Sequence, residues 1–320
     1  MSLPDVLRSP LTLPVVASPM FIASGPELVK AQCQAGVIGS FPALNARPAA
    51  LLDDWLHDIR ESNAKHAEAN PGAVVAPFAV NQIVHKSNDR LDADMELVVK
   101  HQVPIVITSL GARPEINDAV HSYGGIVLHD IINDRFAHKA IEKGADGLIA
   151  VAAGAGGHAG TQSPLALLQE IRAWFDGPLL LSGAIAHGRS ILAALAAGAD
   201  FAYVGSAFLA THEANVVDGY KDMIVDSSAA DIVYSNLFTG VHGNYLRGSI
   251  EAAGLDPVAL PESDPSAMSF GTDDSKAWRD IWGSGQGVGA VEGVVSAADL
   301  VARLRAEFDA AKAELTAKLA

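Results

Sequence analysis

His158 sits in the segment Ala153-Gly-Ala-Gly-Gly-His-Ala-Gly160, with five small residues before it and a glycine two positions after. A loop with so little side-chain bulk lets its backbone, Gly156 and Gly157 included, lie against a flat ligand while one imidazole projects. Histidine exchanges a proton near neutral pH, so the chemistry on offer is general base catalysis or donation to a developing charge. The competing reading is a histidine that hydrogen-bonds its own loop. For a lone histidine that reading would be preferred, but the flanking glycines reverse the preference.

A second pattern suits an anion. Ser182 to Gly188 reads SGAIAHG and Gly205 to Phe208 reads GSAF. Small residues let backbone N–H groups approach an anion closely, and a helix beginning near His187 would add a positive dipole end. A phosphate is expected on Ser182, Gly183, Ala184, Gly205 and Ser206. Alternatively these small residues only ease tight turns and helix–strand packing.

Other polar residues carry weaker signals. Asn81 could read a polar ring edge or form a turn. Pro19 and Met20 could press backbone and thioether on a cofactor, or fill core. His129 and Asp130 are adjacent, so on a strand they point to opposite faces and only one can face a cavity. Asp130 either reaches a bound ligand or caps a helix that starts near Asp134. His85, His187, His212 and His242 show no H-E-x-x-H spacing and no cluster with cysteine, so no metal site is expected. Neither G-x-G-x-x-G after the first strand nor G-x-S-x-G occurs.

The elements that must position these residues follow one rhythm from Leu13 to Leu209. Eight short apolar runs begin at Leu13, Val37, Val74, Pro104, Gly124, Gly147, Pro178 and Phe201. Each has the length and continuous hydrophobicity of a parallel strand covered on both faces. Amphipathic stretches such as ELVKAQCQA, ADMELVVKH, RFAHKAIEKG and GRSILAALAAG separate them. KGADGLIAV and AGADFAYVG repeat a helix–glycine–strand unit. Eight such units in about 200 residues favour a closed (β/α)8 TIM barrel over a doubly wound open sheet. His158 then follows strand six, and the two small-residue segments follow strands seven and eight, where many barrels hold a phosphate.

Past Ala210 the rhythm stops. Ala214 to Ala253 reads as helical, Asp256 to Asp274 as an irregular loop, and Ser296 to Lys318 as a helix that buries Leu300, Leu304 and Phe308. The expected organisation is a barrel over 1–213, completed by 283–320, with 214–282 as a smaller helical domain covering the C-terminal face of the barrel.

Composition bounds the function. A net charge of −15 with no evident basic patch argues against nucleic acid. Cys33 is the only cysteine, which excludes an intrachain disulfide and a thiolate zinc cluster. No uninterrupted apolar run approaches the roughly 18 residues of a spanning helix, and MSLPDVLRSP lacks a signal-peptide pattern. No membrane partner and a cytoplasmic location are expected.

Taken together, AGAGGHAG, LLLSGAIAHG and AAGADFAYVGSAFLATHEA resemble the nitronate monooxygenases, formerly called 2-nitropropane dioxygenases. PVVASPM, PFAVN, FTGVHGNYLR and IWGSGQGVGA are similar to that family too, so the likeness runs from about Leu13 to Leu304. It implies an FMN-dependent barrel, with a helical second domain over the site, that oxidises alkyl nitronates or nitroalkanes with O2 to carbonyl compounds and nitrite. It implies His158 as the catalytic histidine, as base or hydrogen-bond donor, and Met20 and Asn81 as flavin contacts. Ser182, Gly183, Ala184, Gly205 and Ser206 match the FMN phosphate site, and Gly285 and Gln286 a glycine–glutamine motif near the flavin. The chain departs from the pattern in carrying Asp130 where some members have lysine, Val151 where some have aspartate, and Ala184 in place of a glycine. The expected partners are a small nitro substrate and O2; a homodimer is compatible with the sequence. The alternatives are a flavin-dependent NAD(P)H enoyl-acyl-carrier-protein reductase and a non-catalytic barrel that binds a phosphorylated ligand.

Overall fold

In the computed structural model the described residues are 3–263 and 280–320. The eight apolar runs form β1 (Val15–Ala17), β2 (Gly39–Pro42), β3 (Phe78–Ile83), β4 (Ile105–Ser109), β5 (Ile126–Ile131) and β6 (Gly147–Val151). After a two-residue strand, β7 (Gly157–His158), come β8 (Leu179–Ser182) and β9 (Phe201–Val204). All pairs among the eight longer strands are parallel, in the order β1-β9-β8-β6-β5-β4-β3-β2. A parallel bridge between Val16 and Ile38 joins the two ends. The sheet is therefore a closed barrel, as the pacing of the runs predicts.

Alternation along each strand sorts the side chains. Val16, Ile38, Ile107, Leu128, Ile149 and Leu180 share the barrel interior, which is packed with side chains rather than hollow. Their neighbours in sequence, such as Val80, Val106, Val127 and Leu181, face the surrounding helices in a second apolar cluster. Burial on both faces explains why the runs are nearly continuous in hydrophobicity.

The helices on the outside are α1 (Pro26–Gln34), α2 (Leu51–Ala69), α3 (Leu91–Lys100), α4 (Pro114–His121), α5 (Asp134–Glu142), α6 (Pro164–Arg172) and α7 (Gly188–Ala196). The helix after β9, α8 (Ser206–Leu209), is a single turn. The C-terminal helix Ala297–Leu319 supplies the missing cover, packing on both α7 and α1 and so closing the ring of helices. It buries Leu300 and Leu304, as their spacing predicts, with Phe308 partly buried. Gly188 is where this helix crosses α7. A Cβ there would lie 2.2 Å from the Phe308 backbone nitrogen, so only glycine permits the approach.

The covering segment corrects the helical expectation. Besides α9 (Asp218–Asp226) and α10 (Arg247–Ala252), it forms two strands, β10 (Ile232–Ser235) and β11 (Gly243–Leu246). These make an antiparallel pair, and β11 pairs in turn with β7. The strands are four residues long, so no periodicity could accumulate, and their third partner comes from a distant loop. The later part of the expected irregular loop and of the expected cover, 264–279, lies outside the described residues.

Candidate active site

A cavity of about 1490 Å³ opens at the C-terminal ends of the barrel strands, beneath the segment 214–263. His158 lines it, together with Gly156 and Gly157. So do Pro19 and Met20 after β1, Asn81 on β3 and Asp130 on β5. Ser182, Gly183 and Ala184 after β8 line it as well, as do Gly205 and Ser206 after β9. Residues scattered over nearly 190 positions thus meet around one space. Gln286 differs. Its side chain is exposed, and its backbone N–H donates to the Gly154 carbonyl at 2.9 Å, while Gly285 and Gly287 line the cavity.

His158 is presented by β7, and its register opposite Gly243 makes it part of the covering sheet. Its Nε2 lies 3.0 Å from the Thr239 hydroxyl. The same hydroxyl lies 3.0 Å from the Val241 carbonyl, an acceptor for its single proton. With that proton on the Val241 carbonyl, the hydroxyl accepts from Nε2–H, which is the tautomer that keeps the lone pair on Nδ1. Burial pushes the imidazole down to about 4, which keeps it neutral at physiological pH.

The glycines around His158 are held by contact as well as by conformation. A Cβ on Gly156 would meet the Gly285 nitrogen at 2.8 Å, and one on Gly287 the Ala184 carbonyl carbon at 2.8 Å. Ala184 donates its N–H to Gly154, and Gly285 donates to the Ser206 hydroxyl at 2.8 Å. The loops after β6, β8 and β9 and the turn at 285–287 thus interlock through backbone. Packing accounts for part of the small-residue pattern, as the competing sequence reading held. It does not account for Gly183 and Gly205, whose N–H groups donate to no acceptor among the described residues.

The helix dipole proposed for this corner is already engaged. His187 caps α7, accepting from the Arg189 N–H at 3.0 Å, and the Gly188 N–H donates to Glu307 at 2.8 Å. A carboxylate from the C-terminal helix occupies the start of α7, and the cavity ends at Ile185 on that side. The expectation that α7 aims its positive end at a bound anion is corrected accordingly.

The floor of the cavity is polar. Asn81 donates to the Ile107 carbonyl at 3.1 Å and to the Ser109 hydroxyl at 2.8 Å. Ser109 donates to Asp130 Oδ2 at 2.5 Å. Tyr203, also lining the cavity, completes the group. Asp130 caps no helix, since Asn133 accepts from the Phe136 N–H at the start of α5. His129 turns to Thr108, with Nδ1 2.5 Å from the hydroxyl, and burial pushes it down to about 4. Val151 keeps an aliphatic side chain in the same wall.

Sequence reasoning did not single out Ser109, Tyr203 or Thr239. The first two were findable, because they continue the inward alternation of Ile105–Ile107 and Phe201 to the strand ends. Thr239 lies in FTGVHGNYLR, which carried the resemblance but suggested no contact. His242, set aside for lack of metal spacing, stacks on Tyr234 at 5.0 Å and lines the rim. Among the described residues no group of three His, Cys, Asp or Glu side chains could hold a metal, and no helix is long and apolar enough to cross a membrane.

The nitronate monooxygenase family model matches residues 8–307, nearly the full length. The chain belongs to the nitronate monooxygenase family. It is a flavin-dependent oxidoreductase of the monooxygenase type. It is similar to a nitronate monooxygenase of Paraburkholderia phytofirmans, 25% identical over a 344-residue alignment that takes in 92% of each chain. A Mycobacterium tuberculosis protein described provisionally as a monooxygenase is 29% identical over 231 residues, 67% of this chain and 61% of that one. This chain therefore spans under two thirds of that relative. Among solved structures, the nitroalkane oxidase of Streptomyces ansochromogenes superposes with a TM-score of 0.81 at 26% identity, covering 97% of this chain and all of that one.

Proposed function

We propose that this member of the family oxidises alkyl nitronates and neutral nitroalkanes with O2 to carbonyl compounds and nitrite, with FMN as its cofactor and His158 as its base. The observation that carries the reading is the neutral His158 imidazole, fixed by Thr239 at the wall of a cavity large enough for two ligands. Residues 1–213 with 283–320 serve as the cofactor-holding barrel, and 214–282 as the substrate cover.

The residues present fit such a cofactor. The unpartnered N–H groups of Gly183 and Gly205, with the Ser182 and Ser206 side chains beside them, suit a phosphate. Ala184 would contribute shape, since its N–H is already committed to Gly154. Both amide hydrogens of Asn81 are used within the barrel, which leaves its carbonyl oxygen to meet a ring N–H. Pro19, Met20, Gly156 and Gly157 offer flat surface, and Gln286 braces the loop after β6 through its backbone. Bound there, the flavin supplies the redox chemistry between substrate and O2.

His158 works on the proton. With Nε2–H directed at Thr239, Nδ1 is the nitrogen that accepts the α-proton of a neutral nitroalkane, which favours the base role over the donor role. A preformed nitronate has already lost that proton and does not need the base. The cover excludes water and holds the small substrate against the wall.

The test is nitrite release and O2 uptake by the FMN-loaded protein with 2-nitropropane and with propionate-3-nitronate, with and without NADH. Turnover of either nitro compound without NADH is expected. No nitrite from both, or anaerobic bleaching of the flavin by NADH, overturns the reading and favours the reductase.

A further inference from the structure

Two buried polar atoms in the cavity floor have no partner among the described residues, Asp130 Oδ1 and the Tyr203 hydroxyl. Leaving a buried polar group unsatisfied costs about 1–3 kcal/mol, and two that face one cavity require an explanation. Both residues occupy inward positions at the top of the barrel, Asp130 on β5 and Tyr203 on β9, and both line the cavity.

We propose that Asp130 and Tyr203 form a two-donor hydrogen-bonding site in the barrel floor, with Asp130 as the neutral acid, that binds an electronegative edge of the flavin ring system. This rests on the proposed cofactor and names the residues that read its ring.

The hydrogen-bond order decides where the proton lies. Asn81 donates to Ser109, and Ser109 donates to Asp130 Oδ2, so Oδ2 is an acceptor and a proton on the carboxyl resides on Oδ1. That oxygen is the orphaned one. In the ionised state the carboxylate would keep a single hydrogen bond in a buried position. The groups packed around it offer no cation. β4 contributes Ser109, β3 Asn81, β6 Ile149 and Val151, and β9 Tyr203. His129, next to it on β5, is turned to Thr108 and neutral; His158 is neutral in the wall above; Lys139 is at the exposed rim. Burial accordingly pushes Asp130 up to about 7, and burial with the nearby Asp130 charge drives the Tyr203 phenol far above its ordinary range. Below neutrality the floor therefore presents two O–H donors, which suit a ligand edge made of carbonyl oxygens and ring nitrogen. Loss of the Asp130 proton turns one donor into a charged acceptor and weakens the same contact.

The experiment measures the affinity and visible spectrum of bound, oxidised FMN from about pH 5.5 to 8.5, with free FMN as control. For the natural protein the dissociation constant is expected to rise roughly fivefold to tenfold as pH passes through 7, the worth of one hydrogen bond, with a matching shift in the flavin absorption bands. Asp130→Asn keeps a donor at every pH, so its affinity and spectrum should be flat across the range. Tyr203→Phe should bind several-fold more weakly at every pH and retain the break near 7. A flat profile in the natural protein, or an unchanged break in Asp130→Asn, overturns the proposal while leaving the flavin assignment standing. Failure of the natural protein to take up FMN at all overturns both.

Discussion

His158 Nε2 lies 3.0 Å from the hydroxyl of Thr239, so an imidazole that follows a barrel strand is oriented by a residue of the cover. Removing the hydroxyl without changing side-chain size, as Thr239→Val does, leaves the Nε2 proton without its acceptor at a cost of about 1–3 kcal/mol. Turnover of neutral nitroalkanes should fall about tenfold or more, with FMN content unchanged, and Thr239→Ser should restore most of it. Equal rates in the three proteins would show that Thr239 does not set the tautomer.

Replacing the base itself should separate the two substrate classes. His158→Asn is expected to lower kcat on neutral nitroalkanes by about 10²–10⁴, the usual worth of a positioned base, and to affect preformed nitronates far less. Steady-state nitrite release on both substrates, with the flavin spectrum as a control for cofactor retention, decides it.

The interlocked loops predict a cofactor phenotype. Gly287→Ala would drive a Cβ to 2.8 Å from the Ala184 carbonyl carbon, and backbone cannot yield as a flexible side chain can. The shift falls on the loop that includes Gly183. FMN should be retained more weakly, by about tenfold or more in dissociation constant, while the far-ultraviolet circular dichroism stays unchanged. Full retention of FMN would uncouple that turn from the cofactor.

Stability should depend on pH in a defined direction. His129 and His158 are pushed from 6.5 to about 4, so between those values the unfolded chain binds protons that the native state refuses. Their contribution is complete above about pH 6.5 and lost as pH falls towards 4. Asp130 is raised from 3.8 to about 7, so it opposes them, contributing at low pH and losing that contribution as pH rises to 7. Asp94, also raised by burial, acts with Asp130, whereas the lowered Asp53, Glu61, Glu115, Asp231 and Glu314 act with the two imidazoles, and the melting temperature should climb from about pH 4 to 6.5. Asp130→Asn removes one opposing group and should steepen the climb; a shallower profile in that variant contradicts the assignment.

The C-terminal helix offers a purely structural test. Gly188→Ala would place a Cβ 2.2 Å from the Phe308 nitrogen and 2.4 Å from the Leu304 carbonyl oxygen. Forcing the helix off α7 should cost about 3 kcal/mol or more and lower Tm by several degrees, as read by calorimetry.

Much of this was legible before the structure, for a physical reason. Parallel strands buried on both faces must be apolar throughout, so all eight barrel strands announced themselves, and strand C-termini then located His158 and the two small-residue segments. What was hidden depended on contacts distant in sequence. Ile232–Ser235 and Gly243–Leu246 are too short to show alternation, and Gly157–His158 becomes a strand only because Gly243 and Asn244 lie beside it. The capping of α7 by Glu307 was hidden likewise, since the two residues are 119 positions apart. Gln286 was placed from a motif, and motifs do not say whether a residue contributes its side chain or its backbone.

The pairing of β7 with β11 ties the placement of His158 to the covering segment. Any displacement of residues 243–244 from 157–158 would also move the imidazole. The imidazole's position is thereby set by the covering sheet as much as by the barrel strand that precedes it.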